Sequence, residues 1–135
     1  MEKERKVTIM DIIPAKINYT EPYDGLVYIL GTKYNIKLIS ESDDPMLKTL
    51  GGYTDQTAHK IVVKLIEKQD STAQNVADYA KNIMRHELIH AFLFESGLGA
   101  CANGIDCWSQ NEEMIDWFAY QSPKIFKLFQ QLNCL

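Results

Sequence analysis

Between Ser71 and Gly97 the chain carries one uninterrupted helical signal, and a helix of that length must organise whatever folds around it. Ser71 followed three residues later by Gln74 has the spacing of a capping box. Val76, Ala80, Ile83, Glu87, His90 and Phe94 then follow at alternating spacings of four and three, which puts them on one stripe. Gly97 suits the left-handed position that closes a helix, so the predicted span is about 72–96. The stripe mixes apolar with ionisable side chains. Polar groups on a packing face are costly unless they meet partners.

The segments before this helix read as strands. Leu26 to Leu30 and Tyr34 to Ser40, joined through Gly31-Thr32, have the composition of a hairpin with Gly at the first central turn position. A second pair is predicted from Gly51 to Thr54 and from Lys60 to Ile66, with Asp55 to His59 connecting them; Val7 to Ile13 adds a further candidate strand. After Gly97 a loop to Trp108 leads to a helix from about Gln110 to Gln121. Ser122-Pro123 is expected to stop that helix and start a last one, with Ile125, Leu128, Phe129 and Leu132 on one face. The expected class is α+β: a small antiparallel or mixed sheet, the long helix, and two C-terminal helices, in one domain spanning 1–135.

Composition narrows the function. Fourteen basic against eighteen acidic residues give a formal charge of −4 with no basic cluster, which argues against nucleic acid as the partner. The first residues mix both charge signs and lack a signal-peptide pattern, and the longest apolar run, Leu26 to Leu30, is far short of a membrane span. A cytoplasmic protein is expected. Cys101, Cys107 and Cys134 are an odd set in a chain large enough to hold a core without staples, so they are read as reduced thiols.

The chemistry concentrates in His86-Glu87-Leu88-Ile89-His90, which holds two of the three histidines. On a helix, residues four apart lie one turn above each other, so two imidazoles can reach one metal ion with Glu87 beside them. A catalytic zinc site needs a third protein ligand and an open position for water. No histidine follows His90, and Asn111-Glu112-Glu113-Met114-Ile115-Asp116 offers the best carboxylates. Glu112 and Asp116 are four apart, so one can bind metal while the other accepts the second N–H of a ligating histidine. Ile115 and Ala119 share that face and are expected to pack it on the first helix. Ser109-x-x-Glu112 is also a capping-box spacing, and in that case Glu113 is the ligand instead.

His-Glu-x-x-His followed by Asn-Glu-x-x-x-Asp resembles the gluzincin pattern of thermolysin-like zinc metallopeptidases, at His86, Glu87, His90, Glu112 and Asp116. The stretches Arg-His-Glu-Leu-Ile-His-Ala-Phe-Leu and Glu-Glu-Met-Ile-Asp-Trp-Phe-Ala, after a short sheet, are similar to small ImmA/IrrE-like metallopeptidases, including many encoded by bacteriophages. The resemblance covers roughly Gly51 to Ser122. It implies a zincin-like fold and Zn2+ on two histidines and a glutamate. It also implies Glu87 as general base and an upstream edge strand that holds a peptide or protein substrate, a regulator being one candidate. The downstream histidine that thermolysin uses to stabilise the oxyanion has no match here.

Other residues are weaker candidates. Tyr120 is the first choice as oxyanion donor, with Tyr53, Tyr79 and His59 behind it. Cys101 and Cys107 lack the further ligands of a second metal site, and Phe92, Phe94, Trp117 and Phe118 read as core. The competing functions are a zinc-containing module that binds protein without catalysis, and an assembly component with no metal.

Overall fold

A computed structural model describes residues 16–66, 76–104 and 107–135. The candidate strand at Val7 to Ile13 and the Ser71–Gln74 cap lie outside the described residues. The class is α+β, and among the described residues there are a four-stranded mixed sheet and two long helices. Among the described residues, no helix is long and apolar enough to cross a membrane.

Strands β1 (Tyr23–Ile29) and β2 (Thr32–Ile39) form the expected hairpin, in register from Tyr23 opposite Leu38 to Ile29 opposite Thr32. Its turn differs from expectation. The central pair is Leu30-Gly31, both at positive φ (47° and 87°), so glycine occupies the second position of a type I′-like turn. Strands β3 (Gly52–Asp55) and β4 (Lys60–Lys64) make the second antiparallel pair, and β4 also runs parallel to β2. The resulting order is β1-β2-β4-β3. Ile61, Val62 and Val63 are all buried, as befits a short apolar strand flanked on both edges and facing a helix. β3 is left at the edge.

Helix α1 (Val76–Glu95) lies across this sheet, and Gly97, at φ +92°, ends it as the sequence predicts. Its buried positions are Ala80, Met84, Glu87 and Ala91, a stripe turned slightly from the expected one and shifted away from both histidines. Small residues allow a close approach. A Cβ at Gly52 would lie 2.8 Å from the Val62 carbonyl oxygen and 2.8 Å from Ile83 Cγ2, so glycine lets β3 sit directly against α1.

Helix α2 runs from Glu112 to Gln131 without a break, which corrects the expectation of two C-terminal helices. Pro123 lies inside it. Proline removes one helical hydrogen bond by lacking an N–H, and here an arginine of α1 takes the carbonyl that is set free, as described below. Ile115 and Ala119 are fully buried against α1, as predicted; a buried Ile contributes about 1.5–3 kcal/mol. The aromatic expectation fails in part, because Phe92 and Trp117 are exposed, as are Leu128, Phe129 and Leu132 on the distal face of α2.

Candidate metal centre

Because α1 is helical through this segment, His86 and His90 stand one turn apart and their Nε2 atoms lie 3.1 Å from each other. Because Ile115 and Ala119 bury α2 against α1, the first turn of α2 faces them. Glu112 Oε2 lies 3.0 Å from His86 Nε2, and Glu112 Oε1 lies 3.1 Å from His90 Nε2. Three donor atoms, one from each side chain, are within 4.8 Å of one another. A tetrahedral zinc with nitrogen and oxygen ligands at about 2.0–2.1 Å keeps its donors roughly 3.3 Å apart, so this set fits the ion with little rearrangement. Two imidazoles and a carboxylate are also the donor chemistry that zinc takes.

Asp116 Oδ1 accepts the Nδ1–H of His86 at 2.7 Å. A carboxylate can only accept, so Nδ1 carries a proton toward Asp116; with a metal held between Nε2 and Glu112, the Nε2 lone pair would be the one offered to it. The helix start explains why Glu112 is free for this arrangement. Asn111 caps α2 by accepting from the Met114 N–H at 2.8 Å, whereas Ser109 is buried in a short 3-10 turn and donates to the Leu98 carbonyl. The capping box that would have diverted Glu112 and passed the ligand role to Glu113 is therefore not formed.

Glu87 is only 7% exposed, on the sheet side of the two histidines. The Thr54 hydroxyl, on edge strand β3, lies 2.7 Å from Glu87 Oε2 and donates to it. Burial raises the Glu87 carboxyl above the usual carboxylate range; the Thr54 hydrogen bond and the two imidazoles oppose the rise, and the Glu112 carboxylate adds to it. A cleft of about 440 Å³ opens over these groups, lined by Leu50, Gly52, Tyr53 and Thr54 on one side and by His86, Glu87, His90 and Glu112 on the other. Glu112 is 61% exposed, so the cleft is open on its side.

The remaining candidates are placed differently. Tyr120 is 61% exposed and does not line the cleft. Tyr53 does line it, but its hydroxyl donates to Asp44, and burial together with that bond pushes its pKa up to about 12. Tyr79 is exposed, and its hydroxyl lies near Gly51. His59 is at the other end of the sheet, with Nε2 4.0 Å from Glu95 and its ring beside Tyr34. Cys101, Cys107 and Cys134 are free thiols. Thr54 lines the cleft without having been singled out by the sequence; one threonine in a four-residue strand carries no signal of its own, and its partner is 33 positions away.

Comparisons with protein-family models, with curated proteins and with solved structures gave no match.

Proposed function

We propose that the protein is a cytoplasmic zinc-dependent peptidase of zincin-like architecture, in which His86, His90 and Glu112 hold the metal and Glu87 is the general base. The observation that carries this reading is the convergence of two imidazole nitrogens and a carboxylate, 3.0–3.1 Å apart, beside a buried carboxyl that accepts a hydrogen bond from Thr54. A bound zinc supplies Lewis acidity, polarising a carbonyl and bringing the pKa of a bound water to about 7.

The chain's own groups account for the rest. Glu87 is held by Thr54 at the floor of the cleft, where its carboxyl can take a proton from water and return it to a leaving amine. Asp116 keeps His86 in the tautomer that leaves Nε2 free. Edge strand β3 borders the cleft with one side unpaired, and an extended peptide can add to such an edge through its backbone. The expected substrate is therefore a protein segment in extended conformation.

The test combines metal analysis with cleavage of a peptide library. Wild type and Glu87→Gln should each bind one zinc per chain, and only wild type should cleave. Zinc in both proteins with no cleavage by either would favour the protein-binding module. No zinc in wild type would reject the reading altogether.

A further inference from the structure

We propose that Arg85 is a positioning residue of the metal centre: through the carbonyl that Pro123 leaves open, it holds α2 in the register that brings Glu112 and Asp116 to the two histidines. The inference rests on reading His86, His90 and Glu112 as metal ligands, and it concerns a residue whose side chain reaches the Ala119 carbonyl instead of the metal.

Pro123 has no N–H, so the Ala119 carbonyl, four residues earlier in α2, receives no donor from that position of its own helix. Ala119 is fully buried in the seam between the helices, where an unpaired carbonyl is costly. Arg85 Nε–H donates to this carbonyl at 2.6 Å, while its Nη2 lies 3.4 Å from Asn82 Oδ1, one turn back on α1. A guanidinium meeting a carbonyl is a charge-assisted bond, stronger than a neutral pair.

The position of this bond gives it its role. Arg85 directly precedes His86, and Ala119 is three residues after Asp116. Arg85–Ala119 and His86–Asp116 are thus adjacent rungs between the same two helices. One rung alone permits α2 to pivot, whereas two fix both its rotation and its axial position. A slip of one helical residue displaces a side chain by about 1.5 Å, half the spacing of the donor atoms at the centre. The Arg85 rung also ends on backbone, so no side-chain rotation of α2 can absorb a slip.

The experiment uses the full chain with Arg85→Met and Pro123→Ala, singly and combined. Zinc affinity is measured by chelator competition, and the coordination by the absorption spectrum of the Co2+-substituted protein. Arg85→Met should weaken zinc binding by about 10-fold, in the range of changes just outside a ligand set, and should alter the cobalt spectrum. In the Pro123→Ala background the N–H of residue 123 closes onto Ala119, so adding Arg85→Met should change affinity by less than about threefold, the carbonyl no longer depending on the arginine.

Wild-type affinity and spectrum in Arg85→Met would overturn the proposal, as would an equal loss in both backgrounds. If Arg85→Met alone does not fold, recovery of helical circular dichroism in the double variant supports the proposal, and its absence overturns it. A metal-free arm separates this inference from the function it rests on. Arg85→Met should lower the urea midpoint more in the Pro123 chain than in the Pro123→Ala chain. Equal lowering rejects the clamp whatever zinc does, whereas intact coupling without zinc uptake in wild type rejects the metal reading.

Discussion

Glu87 and Glu95 stand two turns apart on the same helix, and both receive hydroxyl groups from the same sheet, yet their surroundings push them in opposite directions. Glu87 has one hydroxyl donor, Thr54, and burial dominates, so its carboxyl is raised. Glu95 accepts from Tyr34 at 2.6 Å and from Thr32 at 2.8 Å, and these two donors hold its carboxyl below the usual range. The difference lies in the balance between hydrogen bonds to the charged form and loss of water. With two donors the carboxylate is a fixed anion that ties the last turn of α1 to the β1–β2 hairpin. With one donor and deeper burial the Glu87 carboxyl is raised instead, at the floor of the cleft between β3 and α1.

The largest predicted break between the two regions is in metal binding. His86→Ala or His90→Ala should abolish zinc uptake by equilibrium dialysis, because two remaining ligands cannot hold the ion against buffer, whereas Tyr34→Phe at the Glu95 end should leave one zinc per chain. Next comes activity: Glu87→Gln should lower peptide cleavage by at least about 100-fold with zinc retained, and Glu95→Gln should leave cleavage within about twofold. Equal losses in the two variants would mean that position on α1 matters and proton transfer does not.

Smaller effects sharpen the contrast. Asp116→Ala should weaken zinc binding by about 10–100-fold, and Glu112→Ala by more than Glu113→Ala, read by chelator competition. Tyr34→Phe should lower the urea midpoint, since it removes one of the two hydrogen bonds that the Glu95 carboxylate accepts. The pH dependence follows from the lowered Glu95 carboxyl. A depressed folded pKa stabilises the fold above the unfolded value of about 4.3, and the contribution is lost as pH falls through the folded value. The stability gap between wild type and Glu95→Gln should therefore be full at neutral pH and shrink below about pH 4. A gap that widened on acidification would reverse the assignment.

Local signals carried most of the fold. The period and the closing glycine of α1, and both strand pairs, were legible because each depends on residues close in sequence. The parallel pairing of β2 with β4 was not, since alternation shows that a segment is a strand but not which strand lies beside it. The two histidines and Glu87 were legible through their spacing, and Glu112 and Asp116 through theirs. Thr54 and Arg85 were invisible because each acts on a residue more than thirty positions away. Pro123 signals a break because its local effect is to remove a bond; the donor that compensates belongs to another helix.

The hydrogen bond from Ser109 to the Leu98 carbonyl, 3.1 Å long, closes the base of the connection between the two helices. The helices are also fixed independently of that connection, α1 by Glu95 on the hairpin and α2 by its two rungs to Arg85 and His86. Length between Leu98 and Ser109 therefore has little hold on the candidate ligands. Loop entropy grows slowly, by about 0.6 kcal/mol for each doubling, so a peptide tag or a small domain inserted there should leave the two halves of the metal centre facing each other.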